Sequence, residues 1–456
     1  MSRKFAKRNF SGQSRREFLL KTGRVVSTVG AAAALAPFGA VNAFAQASDY
    51  KAMVCIFQFG GNDANNMVVP MGARYAEYAA GRPSIAIPQA SLLSTPTAGG
   101  EAFGLHPSLA PIHAHYAAKR LAIVANVGML VRPTTKAEYK ANSVPVPMNL
   151  FSHSDQQMQW QNASPNAPSS TGWGGRVADR LQGLNAPSSF PPSVAINGNA
   201  LQLIGLETKP TTVADGFGIS GNDGSAAANA RQASLQEMLQ FDSGVVLFQA
   251  ANTVLNDGIA VVKLIQDAAS SAGPLTTAFP GSSLGQQLAQ VAKIVQIRAA
   301  LGMKRQIFFV TQGGYDTHDG QLPTHANLLA DLAASMQAFY NATVEMGVTD
   351  QVVTFTESEF NRTFNPNGNV GTDHAWGGHC LALGGPVKGG DMYGQFPTLA
   401  LTGPDDSGTR GNWIPTTSLD QYGATFAQWF GVHPIDLPLV FPNIVNFPVK
   451  TLPFMV

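Results

Sequence analysis

The sequence has 456 residues, of which 12% are charged, about half the ~25% of an average globular protein. A hydrophobic fraction of 45% excludes wholesale disorder. Two cysteines, Cys55 and Cys380, are too few for a disulfide framework or a cysteine-ligated zinc site, and they form either one disulfide bond or two buried thiols.

The N-terminal segment differs in charge from the rest of the chain. Residues 1–47 hold eight of the 29 Lys and Arg residues but one of the 28 Asp and Glu residues, so they carry +7 and residues 48–456 carry −6. No Lys/Arg run occurs in that acidic remainder, which argues against nucleic acid as a partner. No apolar run of about 20 residues occurs there either, so we expect no membrane span in the mature chain.

Residues 1–47 have the pattern of a twin-arginine signal peptide. Arg15 and Arg16 precede the moderately apolar segment 25–41, and Ala43 and Ala45 offer a cleavage site before Gln46. The alternative is a buried N-terminal helix, in which paired arginines would be hard to accommodate. We therefore predict the twin-arginine translocase as a partner and a periplasmic or secreted location. Because this route carries folded proteins, it suggests a metal or cofactor bound before export.

Short apolar runs alternate with helical patterns along residues 48–456, which indicates an α/β protein. The runs are continuous rather than alternating, as expected for parallel strands covered on both faces. Several of these runs end in a turn or a carboxylate that could bind a ligand or take part in catalysis. The five predicted strands are 53–57, 121–125, 306–310, 351–355 and 380–383.

The helical patterns lie mainly in the middle of the chain. Apolar residues spaced three to four apart predict helices over 245–268, 284–300, 328–346 and 422–430, with shorter ones over 109–119 and 156–161. The stretch 216–229 is rich in Gly, Ser and Asn and predicts a surface loop, whereas 431–456 predicts an extended tail. We interpret 48–456 as one α/β domain with a helical insertion at about 230–301.

Carboxylates and histidines follow the predicted strands. Asp63 ends the turn after the first strand, Asp316 and His318 follow the third, and Asp373, His374 and His379 lie in a glycine-rich segment. Ligands bind at the carboxyl ends of strands in parallel sheets, and mixed imidazole and carboxylate ligands suit Zn²⁺. The simpler interpretations are loop pairs, helix caps and tight turns. We predict that the group converges on a metal site, with His325 as a further candidate.

Ser152 and Arg362 are the candidate catalytic residues outside the metal ligands. Ser152 precedes a predicted helix, where free backbone N–H groups stabilise developing negative charge, and His153 could assist it. Ser154 with Gln157 fits a capping box, so the simpler interpretation of Ser154 is a helix N-cap. Arg362 could hold an anion, or be a solvated side chain. The remaining histidines, His106, His113, His115 and His433, are expected on the surface or bonded to the backbone.

Eight motifs in the expected order resemble the bacterial family called domain of unknown function 1501, which is grouped with the alkaline phosphatase and sulfatase superfamily. Besides the paired arginines, they are Gly60–Asp63, Gly104–Pro107, Ser152–His153, Gly172–Arg176, Gly313–His318, Ser358–Arg362 and Gly371–His379. The resemblance covers essentially the whole mature chain. It implies a three-layer αβα sandwich, alkaline phosphatase-like, with a mostly parallel central sheet and two metals at the strand ends.

The resemblance also implies ligand sets. One metal would be held by Asp63, Asp373, His374 and the nucleophile Ser152, and the other by Asp316, His318 and His379. Two departures stand out. Asp316 and His318 are two residues apart, whereas phosphatases of the superfamily typically space the corresponding Asp and His by four. His325, nine residues after Asp316, could therefore replace or supplement His318. The sulfatase signature is absent after Ser152, which disfavours sulfate esters.

The leading hypothesis is an exported metal-dependent hydrolase of phosphate esters, with divalent ions (Zn²⁺ or a mixed pair drawn from Zn, Mg, Ca and Mn) and a small-molecule or polymer ester as substrate. The alternative is a non-catalytic periplasmic scaffold or accessory protein that keeps the fold and a structural metal. An oxidoreductase with an organic cofactor is supported only by the leader, because no G-x-G-x-x-G follows a strand.

Overall fold

The computed structural model describes residues 49–213, 225–241 and 244–456. The predicted leader and most of the predicted 216–229 loop lie outside the described residues. The end of that loop prediction is wrong, because Ser225 caps a helix that begins at Ala226 and its hydroxyl accepts from the backbone N–H of Ala228. Residues 50–456 form one compact unit.

A nine-stranded sheet runs through this unit. Its strands are β1 (Lys51–Gln58), β5 (Leu121–Gly128), β6 (Ser193–Ile196), β7 (Thr211–Val213), β8 (Arg305–Gln312), β9 (Val352–Glu357), β10 (Gly378–Gly384), β11 (Met392–Tyr393) and β12 (Thr417–Ser418). The order is β11-β5-β10-β9-β1-β8-β6-β7, and β12 also pairs with β5. Only β10 runs against its neighbours, so the sheet is mostly parallel. A separate antiparallel sheet consists of β2 (Val68–Pro70), β4 (Ala102–Leu105) and β3 (Leu93–Pro96).

Twelve α-helices lie in the described residues. They are α1 (Ala64–Met67), α2 (Tyr75–Gly81), α3 (Ala110–Ala117), α4 (Lys136–Lys140), α5 (His153–Asn162), α6 (Trp173–Leu181), α7 (Ala226–Leu239), α8 (Val246–Ser270), α9 (Ser283–Gln296), α10 (Gln321–Glu345), α11 (Leu419–Phe430) and α12 (Leu437–Val440). Short 3₁₀ turns connect several of them.

Both faces of the sheet are buried. Along β1, Val54 and Ile56 face a core formed with α3, α8, α9 and α10, whereas Cys55 and Phe57 face a second core formed with α6, α11 and α12. Because successive strand residues point to opposite faces, a strand buried on both sides has an uninterrupted apolar sequence. The predicted three-layer αβα fold with a mostly parallel sheet is confirmed.

All five predicted strands are confirmed as β1, β5, β8, β9 and β10, although β9 begins at Val352, one residue later than predicted. The four long predicted helices are also present, although α10 begins at Gln321 instead of 328. Pro323 lies in the first turn of α10, where its missing N–H costs no helical hydrogen bond. The predicted extended tail is partly wrong, because α12 forms there and buries Leu437 and Val440.

The helices of the middle segment differ in burial. Nine residues of α9 are buried, but of the 25 residues in α8 only Val261 and Ile265 are. Within the described ranges, no helix is both long enough and apolar enough to span a membrane.

The two cysteines are buried and free. Cys55 lies on β1 and Cys380 on β10, with β9 between them. Cys55 is level with Ala382 on β10, two residues from Cys380, so two strand spacings and this offset separate the Cα atoms by more than about 9–10 Å, beyond the roughly 7 Å that a disulfide spans. The thiol interpretation therefore holds and the disulfide alternative is wrong.

Candidate metal centre

The predicted site residues come together because four strands present their loops at one edge of the sheet. β1, β8 and β9 are parallel and end at this edge, and β10, which runs in the opposite direction, begins there. The segments after β1, β8 and β9 and the segment before β10 therefore meet. They carry Asp63, Asp316 with His318, Glu359 with Arg362, and Asp373 with His374.

The turn after β1 requires glycine. Gly60 has φ of +115°, and a Cβ at this position would lie 2.4 Å from the backbone nitrogen of Asp316. Any other residue would therefore be strained and would push away the loop that follows β8. The Gly60–Gly61 pair allows the two loops to touch and fixes the position of the Asp316 backbone.

Three histidines and one aspartate form a group that we call the imidazole cluster: His153, His318, His374 and Asp316. One ligand atom each from His153, His374 and Asp316 lies within 4.8 Å of the other two. Asp316 Oδ1 is 3.0 Å from His318 Nε2, 3.4 Å from His153 Nε2 and 3.6 Å from His374 Nε2. His318 Nε2 and His374 Nε2 are 3.1 Å apart. The four side chains thus share one small space.

Each imidazole of the cluster is held from behind by an acceptor at Nδ1. His153 Nδ1 lies 2.9 Å from Glu359 Oε1, His318 Nδ1 lies 3.1 Å from Asp373 Oδ1, and His374 Nδ1 lies 2.7 Å from the backbone oxygen of Phe151. An acceptor at Nδ1 requires the ring hydrogen there, so the neutral ring presents a lone pair at Nε2. All three lone pairs point into the shared space.

Those lone pairs have too few donors. His153 Nε2 is buried and forms no hydrogen bond within the described part of the chain. The lone pairs of His318 and His374 face each other at 3.1 Å, and Arg362 Nη1, 3.4 Å from His318 Nε2, is a donor on one side of that pair. Two lone pairs at this distance repel each other unless one ring is protonated or a cation lies near both. Neutral imidazole nitrogens oriented by a carboxylate or carbonyl, with a carboxylate oxygen beside them, form a donor set that fits Zn²⁺ or a similar borderline cation.

Glu359 anchors His153 to the sheet. Its buried Oε1 also accepts from the backbone N–H of Gly60 at 2.8 Å and from Gln157 Nε2 at 2.9 Å. Burial alone would raise the pKa of Glu359, but the hydrogen bonds from His153 and Gln157 hold this pKa below its ordinary value. The hydrogen bond to Glu359 in turn raises the pKa of His153. Because Gln157 is one helical turn after His153, Glu359 fixes the whole start of α5.

Arg362 is fully buried and holds Asp316. Its Nη2 donates to Asp316 Oδ1 and to the backbone oxygen of Gly60, and its Nε donates to Gly61 O at 2.9 Å. Partial burial would raise the pKa of Asp316, but the hydrogen bond and charge of Arg362 keep this pKa below its ordinary value. Arg362 is thus not the solvated side chain of the simpler interpretation, and Asp316 stays ionised.

Asp373 lies behind the cluster. One carboxylate oxygen faces His318 Nδ1 and accepts from Asn367, and the other is paired with Arg410. Burial opposes ionisation, but the hydrogen bond from Arg410 is strong enough to lower the pKa of Asp373 to about 2. Of the pair predicted from the sequence, His374 therefore faces the shared space while Asp373 orients His318.

The structure does not bring Asp63, His325 and His379 into the cluster, and we call these three the buried layer. Asp63 is paired with Arg82 and accepts from Gln321. His325 Nε2 is 2.9 Å from Asn62 Oδ1, and His379 Nδ1 accepts from the backbone N–H of Asn126 at 3.1 Å. Burial lowers the pKa of each of these two histidines to about 3. Each member has its own partners below the cluster.

Ser152 occupies the N-cap position of α5, but its hydroxyl is bonded to Asp155 instead of facing the cluster. Its Oγ donates to Asp155 Oδ2 at 2.6 Å and lies 3.2 Å from Ser154 Oγ. No side-chain hydrogen bond caps the helix. The structure therefore brings Ser152 beside the cluster through its neighbour His153, without a contact of its own to Asp316 or the other histidines in the described residues.

Two residues contribute more to the site than the sequence predicts. The sequence predicts His153 only as an aid to Ser152, and it predicts no function for Glu359. The signal was available for Glu359, because a carboxylate directly after a buried strand is the same pattern that identified Asp316. No sequence pattern shows that the ring of His153, at the start of α5, turns toward the sheet edge.

Comparison with known proteins gives a family. The family described as "Protein of unknown function (DUF1501)" matches residues 50–409, which is more than half of the chain. The chain therefore belongs to this family. No curated protein matches the sequence.

Three solved structures with a related arrangement are distant in sequence. Alkaline phosphatase from the Antarctic bacterium TAB5 is 10% identical, with 74% of this chain and 92% of that chain covered and a TM-score of 0.29. Phosphonate monoester hydrolase of Agrobacterium radiobacter is 8% identical, with coverages of 86% and 77% and a TM-score of 0.32. The PsFucS1 sulfatase from Pseudoalteromonas sp. is 9% identical, with coverages of 84% and 68% and a TM-score of 0.30. At these identities and TM-scores, the similarity gives no information about the site of this chain.

Proposed function

We propose that this chain, a member of the DUF1501 family, is a metal-dependent hydrolase of phosphate esters whose divalent ion is bound by the imidazole cluster. One observation carries the proposal: three imidazoles have an acceptor at Nδ1 and direct Nε2 toward the same carboxylate oxygen. Zinc ligation by histidine normally has this arrangement, with the second ring nitrogen bonded to a carboxylate or carbonyl. A divalent ion bound there would polarise an ester oxygen and lower the pKa of a nearby hydroxyl or water.

The proposal is narrower than the two-metal site implied by family resemblance. Asp63, His325 and His379 would each have to leave a buried position and an existing hydrogen bond to become ligands. Asp373 would have to release Arg410. One ion held by His153, His318, His374 and Asp316 requires no buried side chain to move and would share the Asp316 carboxylate with Arg362, so we propose that site first.

Local charge supports an anionic substrate. The centre contains three carboxylates, on Asp316, Glu359 and Asp373, and two guanidinium groups, on Arg362 and Arg410. With neutral histidines its net charge is −1, and a divalent ion changes this to +1. Arg362 Nη1 lies 3.4 Å from His318 Nε2, so an anion entering the cluster would come within reach of this guanidinium.

Exposure supports catalysis over the alternative, a scaffold with a structural metal. The side chains of Asp316 and His318 are 49% and 45% exposed. Structural zinc sites are tetrahedral and closed by four protein ligands, whereas a catalytic ion keeps a position for water or substrate, which the exposed side of this cluster would supply as a fifth position. An open cluster leaves room for an ester beside the ligands.

Ser152 is the proposed nucleophile. Its hydroxyl would form a bond to phosphorus as the ester P–O bond breaks and the alcohol leaves with a proton from water, and a further water would then hydrolyse the phosphoserine to release phosphate and restore the hydroxyl. The hydroxyl donates to Asp155 Oδ2 in this structure, and once the side chain has turned toward the cluster its proton would pass to water. For attack, the Ser152 side chain must rotate from Asp155 toward the cluster, a change of one χ angle at the helix start.

Turnover of p-nitrophenyl phosphate tests the proposal, with p-nitrophenyl sulfate as the competing substrate. The zinc-loaded protein should hydrolyse the phosphate faster than the sulfate, and chelation should abolish turnover. Ser152→Ala should lose turnover but keep its metal, whereas the matched variant Ser154→Ala, in the same helical turn, should keep both. Unchanged turnover in Ser152→Ala would refute the nucleophile. A metal-loaded protein without turnover of any phosphate ester would favour the scaffold.

Export by the twin-arginine route also remains a proposal. We expect substitution of Arg15 and Arg16 by lysine to keep the protein in the cytoplasm, in a host that has this pathway. Periplasmic recovery of the doubly substituted protein in normal amount would contradict it.

A further inference from the structure

Five buried residues beneath the imidazole cluster form a group that we call the buried clamp: Arg82, Asp63, Gln321, Thr317 and Thr372. All five side chains are almost fully buried. Gln321, the first residue of α10, lies at the centre of the group. Its Nε2 donates to Asp63 Oδ2, and its Oε1 accepts from Thr317 Oγ1 at 3.1 Å and from Thr372 Oγ1.

The chemistry of Asp63 fixes the orientation of the Gln321 amide. An ionised carboxylate only accepts, so the amide must turn its NH₂ toward Asp63 and its oxygen toward the two threonine hydroxyls. The reverse orientation would place two oxygens against each other and leave both hydroxyls without an acceptor. Arg82 supplies the compensating charge for Asp63, and its Nη1 also donates to Phe364 O at 2.9 Å.

The two threonines belong to the two loops that carry most of the cluster. Thr317 lies between Asp316 and His318, and Thr372 precedes Asp373 and His374. The backbones of the loops also meet, because Thr372 N donates to Thr317 O at 3.0 Å. One amide oxygen therefore holds both loops at the positions next to the ligands.

We infer that Gln321 is a positioning residue for the metal centre, which sets the distance between the Asp316–His318 loop and the Asp373–His374 loop. The inference rests on the proposed metal site. It also gives a different role to Asp63, the first carboxylate predicted as a ligand, because Asp63 orients Gln321. The side-chain hydrogen bonds of Gln321, Thr317 and Thr372 go to one another and to Asp63 and not to the four cluster side chains, so their effect reaches the cluster through the two loops.

The test removes one hydroxyl without changing the volume at its position. Thr372→Val loses the donor to Gln321, and Thr372→Ser keeps it. The readouts are the Co²⁺ dissociation constant, the visible spectrum of bound Co²⁺, and the ring-proton NMR signals of His318 and His374 in the metal-free protein. Changes in outer partners of metal ligands typically weaken binding by about 10–100-fold, and we expect Thr372→Val to fall in this range with an altered Co²⁺ spectrum. Thr372→Ser should match the unsubstituted protein in all three readouts.

The outcomes separate this inference from the proposed function. If Thr372→Val binds Co²⁺ with unchanged affinity and spectrum, and its histidine signals do not move, Gln321 does not position the cluster. If the unsubstituted protein binds no Co²⁺, the proposed function fails, while shifted histidine signals in Thr372→Val would still support the clamp. Should Thr372→Val prove unstable, Thr317→Val with Thr317→Ser as its control provides the same comparison from the other loop.

Discussion

The imidazole cluster and the buried layer contain the same residue types at the same edge of the sheet, yet they differ in which atoms they present. In the cluster, Nδ1 of each histidine is bonded to an acceptor and Nε2 faces a common space. In the buried layer, His325 and His379 each bond one nitrogen to its own neighbour, and the other nitrogen meets no polar partner in the described residues. We therefore propose as ligands only the histidines whose free nitrogens converge.

The largest difference should appear in metal binding. Replacing His374 by Ala removes one of the converging nitrogens, and we expect zinc affinity to fall about a thousandfold, beyond the roughly 10–100-fold typical of outer partners. His379→Asn is the matched variant from the buried layer, because its Oδ1 can still accept from the backbone N–H of Asn126. Isothermal titration with Zn²⁺ should give nearly unchanged affinity for this variant. Equal losses in the two variants would remove the distinction between cluster and buried layer.

A smaller effect should follow when the support of the cluster is weakened. Glu359→Gln keeps the shape of the side chain but removes the charge behind His153, and we expect Zn²⁺ affinity to fall about 10–100-fold. Glu357→Gln is the control from the last residue of β9, two residues before Glu359, where burial raises the pKa of Glu357 to about 8 and the carboxyl is away from the cluster. Competition with a chromogenic chelator measures both. A control variant that weakens binding as much as Glu359→Gln would contradict the role of Glu359.

The buried layer should determine how the fold responds to acid. The pKa of His325 and of His379 falls from 6.5 to about 3 on folding, because burial opposes protonation. The unfolded chain therefore binds more protons below pH 6.5. Each of these histidines contributes stability above pH 6.5 that is lost as the pH falls toward 3, at about 1.4 kcal/mol per pH unit.

Urea unfolding at a series of pH values checks this slope. In His379→Asn one of these groups is absent, so the slope of unfolding free energy against pH between 6 and 4 should decrease by about 1.4 kcal/mol per pH unit. A slope that His379→Asn leaves unchanged would show that this histidine is not protonated on unfolding.

The smallest effect concerns the two thiols. Because β9 separates Cys55 from Cys380, we expect a reductant to leave the midpoint of thermal unfolding unchanged in protein prepared under oxidising conditions. A lower midpoint after reduction would indicate a bond that the strand order does not allow.

The sequence predicted the fold better than it predicted the site. Continuous apolar runs such as the one in β1 identify strands buried on both faces, because burial of both sets of side chains leaves no alternation. The short strands β6 and β7 were missed, since runs of three or four residues produce no distinct pattern. The reversed direction of β10 was also not predictable, because direction depends on where the chain crosses the sheet.

For the site, the sequence predicted the edge and the residue types but not the depth of each side chain. Asp63 and Asp316 both follow buried strands and look alike in sequence. Asp63 becomes buried because Arg82, 19 residues away, supplies a buried cation, whereas Asp316 stays half exposed beside three imidazoles. Such choices depend on tertiary partners that are distant in sequence, so local patterns cannot rank the candidates.

The location of one bound ion tests the account most directly. Crystals of the protein soaked with Zn²⁺ and measured at the zinc absorption edge should show one anomalous peak at about 2.0–2.2 Å from Nε2 of His153, His318 and His374 and from a carboxylate oxygen of Asp316. The absence of a peak at this position, or a peak bound by Asp63, His325 or His379, would contradict the account.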